Sequence, residues 1–130
     1  LQIMTRDQIT EIAAAGIDLQ LHTHRHRTPL DRDLFVREIR DNQGWLASVT
    51  GGQPSHFCYP SGRYRQEFLP WLRDEGILSA TTCEYGIASP ATDPLLLPRL
   101  LDSTLITSDD FEGWLAGISS LLPHRAIPAR

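Results

Sequence analysis

Ala15-Gly16-Ile17-Asp18-Leu19-Gln20-Leu21-His22-Thr23-His24-Arg25-His26 closes one helix, passes through an alternating apolar segment and opens into a cluster of imidazoles. Upstream, Thr5-Arg6-Asp7-Gln8 has the pattern of a capping box, in which a hydroxyl and a carboxamide reciprocally satisfy the first backbone N–H groups. Ile9, Ile12 and Ala13 follow at helical spacing, and Gly16 suits the left-handed position just past a helix end, so the pattern predicts a helix over 6–15. Ile17, Leu19 and Leu21 then alternate with Asp18 and Gln20, a period of two that predicts a strand running straight into His22. A strand end that opens into a loop is where α/β folds put ligands, because the sheet fixes the backbone while the loop side chains face the crevice.

Further along, Leu34, Phe35, Glu38, Ile39, Trp45, Leu46 and Val49 predict a long second helix closed by Gly51-Gly52. His56-Phe57-Cys58-Tyr59 reads as a short buried strand stopped by Pro60 and Gly62. A third helix over 65–75, carrying Phe68, Leu69 and Leu72, and a strand over 78–82 continue the alternation, which argues for an α/β layer with a parallel sheet. Residues 84–94 are rich in Gly, Ser and Pro and read as a loop. A strand over 95–101 contains Pro98, which confines it to an edge or a bulge. Thr107-Ser108-Asp109-Asp110 caps a last amphipathic helix with Phe111, Trp114, Leu115 and Ile118. The expected organisation is one domain over 1–122 and a frayed tail over 123–130, where Pro123 and Pro128 disfavour regular structure.

With 130 residues, 41% hydrophobic and 22% charged, the chain is long enough for one cored domain and too ordinary for a disordered or disulfide-dense one. Its net charge is −4 and its twelve cationic side chains are all Arg, without a dense basic run, so nucleic acid is not an expected partner. Cys58 and Cys83 lack Cys-x-x-Cys spacing and are expected to be buried free thiols. No apolar run approaches the ~20 residues that span a bilayer.

Neutral imidazole is the commonest metal ligand, and His22, His24 and His26 fall within five residues at the mouth of the expected sheet. If the chain stays extended, all three rings point to one face. If it turns after Thr23, His22 and His26 converge and His24 points elsewhere. His56 and His124 have no such company.

Ala15 to Leu30, with its His-Thr-x-x-His core at residues 22–26, resembles the second motif of the polysaccharide deacetylases of the NodB homology type. Phe57-Cys58-Tyr59-Pro60-Ser61-Gly62-Arg63-Tyr64 is similar to their third motif in its Tyr-Pro-x-Gly-Arg-Tyr form. Leu97-Pro98-Arg99-Leu100 with Asp102 is similar to the segment that follows, so the resemblance runs from Met4 to about Gly117. It implies a partial (β/α) barrel, with parallel strands alternating with helices. It also implies a divalent metal, often zinc, held by two His and one Asp, with a second Asp as general base. On this chain it makes His22 and His26 the ligands, has Thr23 fix the first of them, and leaves His24 outside the set. Backbone N–H near Ser61 would hold the oxyanion, Tyr59, Pro60, Tyr64 and Leu97 would line the substrate groove or acetyl pocket, and Arg99 would orient an acidic neighbour.

The chain departs from that pattern in ways that bear on activity. The family's Asp-Asp motif belongs before Met4 and is not in this sequence, and Asp109-Asp110 suits a helix N-terminus instead. Cys58 stands where many members carry Arg and Ser61 where many carry Tyr, and no His follows Leu97-Pro98-Arg99 as the usual acid. A closed barrel needs ~200 residues or more. The implied function is therefore a hydrolase removing N-acetyl or O-acetyl groups from a carbohydrate polymer, truncated and inactive in this form. The alternative is a non-catalytic carbohydrate- or metal-binding remnant. A metallo-β-lactamase or amidohydrolase reading of His-x-His is disfavoured, because Arg25 stands where the first needs Asp and the chain has none of the Lys the second needs. The unpaired edge of a partial sheet is expected to favour homo-oligomers.

Overall fold

A computed structural model describes residues 3–101 and 106–118. Helix α1 (Arg6–Ala14) starts at the expected capping box, with Thr5 Oγ1 accepting from Gln8 N–H at 3.3 Å and Thr5 N–H donating to Gln8 Oε1 at 2.8 Å. Gly16 takes a φ of 90° just beyond its end. The expected strand over 17–21 shrinks to one bridge. Leu21 N–H donates to His56 O and Leu21 O accepts from Cys58 N–H, both at 2.9 Å, while Ile17 is exposed. The physical reason lies in Gln20, whose Oε1 accepts from Ser55 N–H at 3.1 Å and His56 N–H at 2.9 Å. A longer parallel ladder would pair that His56 N–H with the Leu19 carbonyl, and the side-chain amide takes its place.

Helix α2 (Arg32–Thr50) is capped by Asp31, which accepts from Leu34 N–H at 3.0 Å, and ends at Gly51 with a φ of 72°. Strand β1 (His56–Cys58) leads into a 3₁₀ turn (Pro60–Gly62) and helix α3 (Phe68–Asp74), which begins three residues later than its pattern suggests. Strand β2 (Ser79–Tyr85) runs past the expected stop into the segment read as loop. A 3₁₀ turn (Pro94–Leu96), with Asp93 accepting from Leu95 N–H, replaces the first half of the last expected strand and leaves β3 (Leu97–Arg99). Thr107 caps helix α4 (Ser108–Leu115) through a capping box with Asp110.

The three strands form a parallel sheet in the order β1-β2-β3, with Leu21 bridging the outer side of β1 at Phe57. Pro98 lies on the β3 edge, where the register shifts between Thr81 and Tyr85, as a residue without an N–H donor requires. This is the α/β arrangement expected, parallel strands alternating with helices. Side chains alternate across it. Leu21, Phe57, Ala80 and Thr82 are buried toward α2 and α3, where Phe35 stacks on Phe68 at 4.3 Å between ring centroids. Burying one such ring contributes roughly 1.5–3 kcal/mol. His22, Cys58, Thr81 and Cys83 take the other parity and are exposed or half-buried. The cysteines are free but half-buried, not buried as expected, because this parity faces away from the core. Asp102, His124 and the tail over 123–130 lie outside the described residues. No helix among the described residues is long and apolar enough to cross a membrane.

Candidate metal centre

The chain leaves the sheet at Leu21, and α2 takes hold of it at once. His22 N–H donates to Asn42 Oδ1 at 3.0 Å, while the His22 ring places Nδ1 2.7 Å from the carbonyl oxygen of Cys58. A carbonyl only accepts, so Nδ1 is the donor in this contact, and the neutral ring then keeps its lone pair on Nε2. Thr23 and His26 then adopt left-handed φ values of 60° and 55°, and these fold the segment back on itself. Thr23 is buried, and its Oγ1 accepts from Arg27 N–H at 3.0 Å across the turn. The His22 and His26 rings meet edge to face with centroids 4.9 Å apart. Of the two geometries the sequence allows, the chain adopts the turned one. Among the described residues, the His24 ring pairs with neither of the others, and the backbone N–H of His24 donates to the backbone oxygen of Glu38 at 3.2 Å.

Glu38 was not singled out as a functional residue by sequence reasoning. It is 7% exposed on the apolar side of α2, and its carboxylate accepts from Arg25 N–H at 2.7 Å and Arg25 Nη1 at 3.0 Å. Arg25 Nη2 reaches Asp41 at 2.8 Å, and this hydrogen bond holds the Asp41 carboxyl below its usual range. The available signal was an acid embedded in the stripe of Phe35, Val36, Ile39 and Leu46, where a buried charge needs a partner. Among the described residues, no third His, Cys, Asp or Glu joins the pair to complete a metal-binding group.

The second cluster lies at the end of β1. Ser61 and Gly62 both have positive φ, 55° and 66°, and the N–H groups of Gly62 and Arg63 are spent within the turn on Tyr59 O and Pro60 O. Tyr59 does not offer its ring to a groove. It is wholly buried, donates its hydroxyl to Leu95 O at 3.1 Å, and burial pushes its phenol pKa up. Pro60 is buried as well, because this turn packs under the sheet end. Tyr64 and Leu97 are half-buried, and Tyr64 donates its hydroxyl to Glu84 Oε1 at 2.7 Å. Arg99 meets no acidic neighbour among the described residues. Its Nη2 donates to Cys83 Sγ at 3.1 Å, the Cys58 thiol also lies within its electrostatic reach, and its buried Nε has no partner. Thiols stand there because Cys58 and Cys83 share the parity that faces Arg99.

The polysaccharide deacetylase family matches residues 2–79. YxkH of Bacillus subtilis (strain 168), described as a polysaccharide deacetylase, is 26% identical over 114 residues, covering 86% of this chain and 41% of its own. The Streptococcus pyogenes deacetylase PplD, solved in complex with acetate, superposes with a TM-score of 0.79 at 25% identity over 85% of this chain and 50% of its own. IcaB from Ammonifex degensii gives a TM-score of 0.72 at 22% identity, covering 91% of this chain and 54% of its own, and shows a shared fold. The chain thus spans about half the length of these relatives or less. A match over more than half of the sequence, on a fold that solved deacetylases share, has one reading: the chain belongs to the polysaccharide deacetylase family.

Proposed function

We propose that His22 and His26 are two ligands of a divalent metal, zinc, in a hydrolase that removes N-acetyl or O-acetyl groups from a carbohydrate polymer. The observation that carries this reading is the convergence of the two rings at 4.9 Å, with His22 Nδ1 tied to Cys58 O so that Nε2 is free to coordinate. Two neutral imidazoles on a preset turn suit zinc, whose catalytic sites use three protein ligands and an open position. When bound, the metal supplies Lewis acidity toward the acetyl carbonyl and lowers the pKa of a water.

The chain's own residues take the remaining roles. Thr23 fixes the turn by accepting from Arg27 N–H. The Ser61 backbone N–H, on a left-handed residue just past β1, is the donor offered to the oxyanion, and the Arg99 guanidinium beside Cys83 adds positive charge. Tyr64 and Leu97 line the groove for the acetylated sugar. A carboxylate ligand and a general base have to come from outside the described residues, and general-base help is worth about 10²–10⁴-fold. Without those two groups the paired imidazoles bind metal and do not turn substrate over.

A second reading is favoured by the lack of a third ligand among the described residues: a non-catalytic remnant that keeps carbohydrate or metal binding. Zinc titration paired with acetate release from acetylated chitooligosaccharides separates the two, run on this chain and on the chain extended by the coding sequence that precedes Leu1. The hydrolase reading expects zinc binding by both forms and chelator-sensitive acetate release by the extended form alone. Zinc binding without acetate release by either form supports the remnant, and no zinc binding by either sinks the metal site.

A further inference from the structure

We infer that Glu38 is the positioning residue that brings His22 and His26 together, acting through Arg25 and the backbone of the turn; its meaning for metal binding rests on the reading above. Glu38, Asp41 and Asn42 stand at i, i+3 and i+4 on α2 and so share one face of the helix. All three grip the histidine segment. Asn42 Oδ1 accepts from His22 N–H, Asp41 accepts from the Arg25 guanidinium, and Glu38 makes three bonds to two consecutive residues. Its backbone oxygen takes His24 N–H at 3.2 Å, Oε2 takes Arg25 N–H at 2.7 Å, and Oε1 takes Arg25 Nη1 at 3.0 Å.

A carboxylate whose side chain is 9% exposed is an expensive choice on an apolar stripe, where a packed hydrophobic residue is often as stable or more so. Its placement is explained by what the turn demands. Left-handed Thr23 and His26 each cost about 1–2 kcal/mol relative to ordinary backbone, and such residues persist only where the surroundings over-determine them. Released from Glu38, the segment relaxes toward an extended chain. Four residues of strand span about 13 Å, too far for one ion to meet both His22 and His26. Glu38 joins no metal-binding group among the described residues, and both its carboxylate oxygens accept from Arg25.

The test uses the metal-free chain first. Ring-to-ring nuclear Overhauser contacts between His22 and His26 are measured in the wild type, Glu38→Gln, Glu38→Ala and Arg25→Ala, with Phe35–Phe68 contacts reporting an intact core, followed by zinc titration of each. The wild type is expected to show the His22–His26 contact, Glu38→Ala to lose it with the core contacts intact, and zinc affinity to fall 10–100-fold. Glu38→Gln, which keeps one acceptor for Arg25 N–H, is expected to recover part of both. Should Glu38→Ala fail to fold, Glu38→Gln and the surface change Arg25→Ala decide, each expected to weaken the ring contact. Persistence of the contact in folded variants, or its absence from the wild type, overturns the inference. A wild type that shows the contact and binds no zinc sinks the metal reading alone, and the variants' ring contacts still decide the role of Glu38.

Discussion

His22 Nδ1 lies 2.7 Å from the carbonyl oxygen of Cys58, a residue 36 positions later in the chain. A strand of the sheet thereby selects which ring nitrogen faces outward. The expected outcome is one dominant tautomer of His22, carrying its proton on Nδ1, visible by long-range ¹⁵N correlation spectroscopy of the metal-free chain. Zinc is then expected to move Nε2 and leave Nδ1 protonated. An Nε2–H tautomer that persists in zinc would place the ligand atom elsewhere.

Replacing the rings one at a time separates the turned geometry from the extended one. His22→Ala and His26→Ala are each expected to cost more than the 10–100-fold in zinc affinity typical of a supporting residue, and His24→Ala to cost less than about threefold. The motive is that His22 and His26 meet at 4.9 Å while His24 is exposed and pairs with neither. Calorimetric titration of the three variants is the measurement. Equal losses at all three positions would argue that zinc binds a different arrangement.

Gly62 has a φ of 66°, and an added Cβ would stand 2.4 Å from Cys83 Cβ and 2.7 Å from Cys83 N. Backbone and a strand residue are both in the way, so no side-chain rotation relieves the clash. Gly62→Ala is expected to destabilise the fold by about 1–3 kcal/mol and to disturb the Ser61 turn. Urea unfolding, with the midpoint lowered at unchanged slope, checks it.

The Arg25 hydrogen bond depresses the Asp41 carboxyl below its ordinary 3.8. A carboxyl lowered on folding adds stability that is present above its unfolded value and is lost as pH falls through its folded value. Asp41→Asn is therefore expected to be less stable than the wild type at neutral pH and equal to it once the pH is well below 3.8, with a small difference that shrinks in salt because the pair is exposed. Unfolding midpoints across that pH range give the answer.

Much of this was legible in the sequence because it rests on local chemistry. Capping boxes at Thr5 and Thr107, glycine stops at Gly16 and Gly51, and the α/β alternation all depend on near neighbours. The strand at Ile17 failed because alternation does not reveal that Gln20 takes the N–H groups at Ser55 and His56. Tyr59 was misread for a related reason. Its motif position suggested a groove, whereas strand parity turned it onto Phe57 in the core at 5.0 Å. Glu38 was hidden because a helical pattern marks which face is buried and is silent on which buried acid has a partner in another segment.

Leu21 pairs with β1 on one side only, and β3 closes the other end of the sheet among the described residues. Among the described residues neither outer side pairs with a further strand, and open strand edges template pairing with another strand. Large apolar side chains elsewhere are exposed as well, with Ile17 55%, Leu78 66%, Ile87 54% and Leu115 63% accessible. An open edge of that kind is covered most economically by a second copy of the same chain, since a two-fold axis pairs both copies' edges at once. The 130-residue chain is expected to run as a dimer or larger species at micromolar concentration. Its melting temperature is expected to rise with concentration, as mass action requires when association stabilises the folded state. Size-exclusion chromatography with light scattering over a hundredfold dilution is the measurement. A monodisperse monomer whose melting temperature ignores concentration would show that the chain covers these edges itself.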